Sequence, residues 1–187
     1  MPDSTNPLRQ HLAYVALGAN LDDPLAQVRA AAQALTGLPK SQLLRVSSLY
    51  RTTPVGIHGQ PDFINAVAAL TTTLAPHELL DALFAVEARF GRRRDFHHAP
   101  RTLDLDLLLF DEQVIDSAAL VLPHPRLHLR AFVIAPLLEI APDCRIPGRG
   151  AAAAWLPAVS MQHIEKLVPA SGSMVLAPAS DSPADRA

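Results

Sequence analysis

Four strand-length apolar runs and two amphipathic helical stripes alternate in a single order along this chain, and that order limits the fold more than any other feature. Residues 11–17 form a short apolar run, and Gly18-Ala19-Asn20 is expected to break it before Asp22 or Asp23 caps a helix with Pro24 in its first turn. Leu25, Val28, Ala32 and Leu35 recur at helical spacing, and Gly37 and Pro39 end that helix. A second strand is predicted over 43–50, with Leu44, Val46 and Ser48 on one side, and a third over 63–72. Pro76 opens a second helix that runs to about Phe90 and stops at Gly91, and 102–110 is a fourth, very apolar strand. This order is that of a split βαβ unit, which predicts an α+β fold: an antiparallel sheet with helices on one face. A short apolar stretch around Val114 and Ile115 and a last helix over 130–140 follow.

With 187 residues, 49% of them hydrophobic, the chain can bury one substantial core but not two. The reading is one domain over 1–150 and a C-terminal extension over 151–187, with a further helix across 151–167 and disorder in the Ser, Pro, Ala and Asp-rich remainder. A net charge of -2 gives no general attraction for nucleic acid or an anionic membrane, so any charged ligand must be held by local clustering. The lone Cys144 rules out an internal disulfide and a cysteine zinc site, which fits a reducing, cytoplasmic setting. The polar first ten residues and the lack of any run of eighteen apolar residues predict neither secretion nor membrane spanning, and a monomer is expected.

Chemistry concentrates at Arg101-Thr102-Leu103-Asp104-Leu105-Asp106. On a strand Asp104 and Asp106 share a face, with carboxylates roughly 7 Å apart. Their repulsion at that distance is only ~2.4 kcal/mol at an effective dielectric of 20, but desolvating both is worse, so something cationic should compensate. Magnesium prefers oxygen ligands and is commonly held by one or two carboxylates plus substrate phosphates; pairing with nearby arginines is the bland alternative. Arg92, Arg93, Arg94 and Arg101 lie just upstream beside His97 and His98, and guanidinium groups fork onto phosphate oxygens. Of these Arg93 is read as solvated, whereas Arg92 and Arg94 share a side if extended and Arg101 abuts the carboxylates.

Glu87 falls inside the apolar stripe of the second helix and needs a partner there, either an arginine or a ligand hydroxyl. Asn65 shares a strand face with Phe63 and Val67, and its amide can read the edge of a heterocycle on which Phe63 stacks. His124, after Leu122-Pro123, suits a phosphate contact with Arg130 behind it. A metal pair with His128 is disfavoured by Pro123 and Pro125.

Together these residues resemble the hydroxymethyl-dihydropterin pyrophosphokinase family of folate biosynthesis. The likeness runs from about residue 14 to 143. Its most specific piece is Ala99-Pro100-Arg101-Thr102-Leu103-Asp104-Leu105-Asp106-Leu107-Leu108. Leu17-Gly18-Ala19-Asn20-Leu21, Ser47-Ser48-Leu49-Tyr50-Arg51-Thr52, Gln60-Pro61-Asp62-Phe63-Ile64-Asn65-Ala66 and Leu122-Pro123-His124-Pro125 support it. The resemblance implies a ferredoxin-like sheet with additional elements and a site for ATP and the pterin. It implies two magnesium ions on Asp104 and Asp106, with Arg92, Arg94 and Arg101 completing the catalytic set. His124 and Arg130 join Arg92 and Arg101 at the ATP phosphates, and Glu87 lies against the nucleotide. Thr52, Asn65 and the backbone near Val55 recognise the pterin edge, and Phe63 and Phe132 sandwich its ring. The loops over 51–62 and 91–100 close over both substrates, and attack on the β-phosphorus releases AMP. Here His98-Ala99 stands where many family members carry Trp-Gly, and Phe63 replaces a common tyrosine.

The main rival is a nucleic-acid-binding ferredoxin-like module in which Phe63 and Phe132 stack on bases, and the aspartates argue against it by repelling a phosphate backbone. An ordinary ADP-releasing kinase would call for a Gly-x-x-x-x-Gly-Lys loop, which the chain lacks.

Overall fold

Seven consecutive buried residues, Ile64 to Leu70, make Phe63–Thr72 (β4) the axis of the molecule, because only a strand covered on both faces can be buried at successive positions. The computed structural model describes residues 9–53, 61–91 and 103–167. On one side β4 pairs antiparallel with His11–Ala19 (β1), which in turn pairs antiparallel with Asp104–Phe110 (β5). Its other side is taken by Ser41–Val46 (β2) and Leu49–Thr52 (β3), also antiparallel. The single strand expected over 43–50 is therefore two. Ser47 makes the break: its hydroxyl accepts from the Val67 amide at 3.0 Å and donates to the Ser48 carbonyl at 2.8 Å, a side chain taking a backbone place in the ladder. The irregularity between Leu43 and Arg45 also turns Leu44 outward, to 45% exposure, away from the side shared with Val46. At the other end, Gly18-Ala19 continues β1 instead of ending it, since Gly18 lies in register with Asn65 and Asp104.

Helices Pro24–Leu35 (α1) and Pro76–Arg89 (α2) start as their sequences dictate, each with proline in the first turn. Asp23 accepts from the Ala26 amide, and Glu78 reaches back to the Ala75 amide at 2.7 Å. Both pack on one face of the sheet, over Ala13, Val15, Leu17, Ala66, Ala68, Leu105 and Leu107.

Helices do not stay on that face. Ala131–Ile140 (α3) lies on the opposite one, burying Val133, Ile134 and Leu137 against Val67, Ala69, Leu108 and Leu109. The physical reason is visible in its own composition, AFVIAPLLEI, which is too apolar to leave exposed. In the chain, the short pair Ile115–Asp116 (β6) with Val121–Leu122 (β7) precedes it and the pair Arg145–Ile146 (β8) with Gly150–Ala151 (β9) follows it.

The helix expected across 151–167 is also replaced. A 3-10 turn at Ala152–Trp155 and one turn of helix at Leu156–Val159 (α4) lead into Ile164–Leu167 (β10), which pairs antiparallel with β3. Alanine-rich local propensity loses to a sheet edge with free backbone groups. The sheet order is β10-β3-β4-β1-β5, with β2 also on β4. This is a ferredoxin-like α+β fold with added elements. Among the described residues no helix is long and apolar enough to cross a membrane.

Candidate active site

Among the described residues α3 covers only part of its face, and the side chains at the other end of that face are those of alternate residues on four strands. One row across the sheet, by register, reads Tyr50, Asn65, Gly18, Asp104, and the next contains Val67, Ala16 and Asp106. Asn65 and Asp104 are thus two strand spacings apart, about 10 Å, with no side chain between them. A cavity of about 410 Å³ stands on this floor, lined by Gly18, Thr52, Phe63, Asn65, Asp104 and Asp106 and walled by Arg126, Leu129, Arg130, Phe132 and Gln162.

Gly18 is what keeps that floor open. A Cβ at this position would lie 3.2 Å from the Asn65 side-chain oxygen. Asn65 is buried, and its amide nitrogen donates to the Thr52 hydroxyl at 2.9 Å, which holds the amide in place and leaves its remaining polar capacity for a ligand. Phe63 and Phe132, on β4 and α3, line the same cavity.

At the carboxylate end, Arg130 Nη1 lies 3.8 Å and His124 Nε2 3.9 Å from Asp106 Oδ2. The Arg130 guanidinium also sits 5.4 Å from the centre of the Phe132 ring. His124 follows a cis Leu122-Pro123 bond, and its backbone N–H donates to the Leu108 carbonyl on the outer edge of β5. Its Nδ1 accepts from the Arg126 amide at 3.3 Å, which puts the proton of the neutral ring on Nε2, facing Asp106. Burial first, then the Arg130 and Arg126 guanidiniums, lower its pKa to about 4, so the ring acts as a neutral N–H donor near pH 7.

A second cleft of about 270 Å³ lies across the outer edge of β5, between Leu80 and Phe84 of α2 and Leu120, Val121, His124 and Pro125. Asp106 lines both spaces. Among the described residues no cluster of three or more His, Cys, Asp or Glu side chains could hold a metal. Asp104 and Asp106 therefore offer an all-oxygen, two-carboxylate set, which fits magnesium sharing its remaining positions with phosphate and water and does not fit zinc.

Not every residue picked from the sequence converges on the cavity. Thr52, Phe63, Asn65, Asp104, Asp106, Arg130 and Phe132 line it, and His124 borders the adjoining cleft. Glu87 lines neither. It is 1% exposed, and its Oε1 accepts from the Leu105 amide at 2.6 Å, so one oxygen is committed to the strand that carries the aspartates. His128 turns from His124 toward Arg149, 3.1 Å from its Nε2, and packs edge-on to Trp155. Arg92, Arg94, Arg101 and Val55 lie outside the described residues. Sequence reasoning missed Gly18, Arg126, Leu129 and Gln162. Of these only Gly18 left a signal, as a glycine in a strand pattern, which marks close approach.

Fold and cavity define a class: a small α+β protein with an acidic, arginine-bordered cleft between two adjoining ligand spaces, suited to handling polyphosphate. The family can be given as well. The chain belongs to the 7,8-dihydro-6-hydroxymethylpterin-pyrophosphokinase (HPPK) family, whose model matches residues 14–142. A 2-amino-4-hydroxy-6-hydroxymethyldihydropteridine pyrophosphokinase of Pseudomonas aeruginosa is 49% identical over 154 residues, 82% of this chain and 95% of that one. The enzyme of the same name from Haemophilus influenzae is 45% identical over 135 residues, 72% and 84% of the two chains. The Plasmodium falciparum HPPK-DHPS structure superposes with a TM-score of 0.64 over 80% of this chain and 44% of that longer one, at 12% identity, a likeness of fold. The nucleic-acid-binding alternative draws no support from these matches.

Proposed function

We propose that this chain transfers diphosphate from ATP to the hydroxymethyl group of 6-hydroxymethyl-7,8-dihydropterin and releases AMP, a step of folate biosynthesis. The observation that carries this reading is that two ligand spaces of different character meet at one carboxylate, Asp106. The larger, with a buried amide and two phenylalanines, suits a flat heterocycle with hydrogen-bonding edges. The smaller, walled by Leu80, Phe84 and Leu120, suits the base and sugar of a nucleotide. A triphosphate joining them passes Asp106, His124 and Arg130.

Asn65, held by Thr52, reads the pterin edge, and Phe63 and Phe132 take its faces. Asp104 and Asp106 hold magnesium, two ions in all, which neutralises polyphosphate charge when bound. Arg130 and the neutral His124 donate to phosphate oxygens from the opposite wall. Arg92, Arg94 and Arg101 complete the phosphate contacts, with Arg101 three residues ahead of Asp104. Glu87, bonded to Leu105 between the two aspartates, sets the strand that presents them. The hydroxymethyl oxygen forms a bond to the β-phosphorus, the bond from that phosphorus to the α–β bridging oxygen breaks, AMP leaves with that oxygen, and the hydroxyl proton passes to solvent.

Incubation of the protein with ATP, magnesium and 6-hydroxymethyl-7,8-dihydropterin tests the reading through the identity of the nucleotide product. AMP equimolar with pterin diphosphate is expected. ADP, or AMP formed without pterin, overturns it.

A further inference from the structure

Arg130 sits at the junction of two helical segments. It ends the 3-10 turn Leu127–Leu129 and precedes α3 with an extended backbone, φ -125° and ψ 112°, and no side-chain cap of its own. The Ala131 amide is therefore one of the donors that a helix start leaves without an internal partner. Gln162, from the turn between α4 and β10, fills the gap from 31 residues away. Its Oε1 accepts from the Ala131 amide at 2.9 Å, and its Nε2 donates to the Leu129 carbonyl at 2.8 Å. One amide thus bonds the residue before Arg130 and the residue after it.

The Gln162 backbone is itself anchored. Its amide donates to the Val159 carbonyl, and two residues later Ile164 pairs in register with Thr52, which holds Asn65. Gln162 lies beyond residues 14–142, the span matched by the family model.

We infer that Gln162 is a positioning residue: by clamping both flanks of Arg130 it fixes the guanidinium over Asp106 and Phe132, where the nucleotide phosphates pass. This rests on the proposed role of Arg130 as a phosphate contact. A glutamine is suited to the task because it carries a donor and an acceptor on one rigid amide. Glutamate keeps the acceptor for Ala131 and loses the donor to Leu129, and leucine keeps the shape and loses both.

The test is a double-mutant cycle on the full-length protein, with kcat and both KM values measured beside thermal unfolding for Gln162→Leu, Gln162→Glu, Arg130→Ala and Gln162→Leu with Arg130→Ala. Gln162→Leu is expected to lower kcat/KM for ATP about tenfold, the worth of two hydrogen bonds. Gln162 and Phe132 also wall the cavity assigned to the pterin, so the pterin KM is followed as well, and only a loss in kcat/KM for ATP that disappears in the Arg130→Ala background counts as positioning of Arg130. Gln162→Glu should fall between Gln162→Leu and wild type. In the Arg130→Ala background Gln162→Leu should change nothing further. Equal losses in both backgrounds, an unchanged kcat/KM in Gln162→Leu, or a loss that follows the unfolded fraction in both Gln162 variants would overturn the inference alone. A wild type that makes no AMP would overturn the proposed function and this inference with it.

Discussion

Gly18 shows how much a single missing side chain can decide. With Asn65 and Asp104 as its register neighbours, its bare Cα is the gap between the amide and the first carboxylate. Gly18→Ala puts a methyl 3.2 Å from the Asn65 oxygen, so the amide must shift by a few tenths of an ångström while Thr52 holds its nitrogen. The pterin KM should rise about tenfold, corresponding to ~1.4 kcal/mol, with the ATP KM little changed. Steady-state kinetics with each substrate varied in turn decides it, and an unchanged pterin KM would mean that Asn65 does not read the pterin. Legibility at this scale followed residue chemistry. Asp104 and Asp106 could be found because charge in an apolar strand demands an explanation, and Asn65 because an amide on a core face does. Glu87 was found for the same reason, but its visible partner is the Leu105 backbone, which no side-chain pattern encodes. Gln162 was invisible, since a glutamine in a polar turn is ordinary until the fold brings it to Arg130.

At the scale of elements, α3 is tied to β3 by one carboxylate. Glu139 accepts from the Ser48 amide and hydroxyl at 3.1 and 2.7 Å and from the Tyr50 hydroxyl at 2.7 Å, and Lys166 of β10 lies 3.3 Å away. Burial alone would raise the Glu139 pKa, but the hydrogen bonds from Tyr50 and Ser48 and the lysine hold it below the usual value. Burial and the bond to Glu139 push the Tyr50 hydroxyl upward, so it remains a donor at all ordinary pH. Glu139→Ala should destabilise the protein by about 1–2 kcal/mol, since its contacts are partly screened by solvent, and Glu139→Gln by less, because it keeps an acceptor for Tyr50 and Ser48. Denaturant unfolding measures both. The strand and helix order was readable from periodicity because β1, α1, β4, α2 and β5 each have a consistent apolar face. What periodicity could not supply was the side on which α3 packs or the strand at 164–167, both set by tertiary partners far away in sequence.

For the whole molecule, acid sensitivity follows from two histidines, the buried His128 and the half-buried His124. His124 and His128 are both held below their ordinary pKa, His124 to about 4, each chiefly by burial and further by neighbouring arginines. Below pH ~6.5 the unfolded chain takes up protons at these positions while the folded one does not, so stability falls with pH from there and keeps falling until the folded rings titrate. Above that window neither state binds the proton and the contribution is flat. Unfolding midpoints between pH 4.5 and 8 should decline on the acid side only, and His128→Gln should flatten part of the decline. A midpoint that rises on acidification contradicts this.

The account as a whole depends on Asp104 and Asp106 binding magnesium together with a nucleotide. Titration calorimetry with magnesium and a non-hydrolysable ATP analogue, on the wild type, Asp104→Asn and Asp106→Asn, measures that directly. Binding to the wild type should require magnesium, and each variant should bind about a hundredfold more weakly. Thermal stability should hold or rise as repulsion between the two carboxylates is relieved. Asparagine variants that bind nucleotide and magnesium as tightly as the wild type would contradict it.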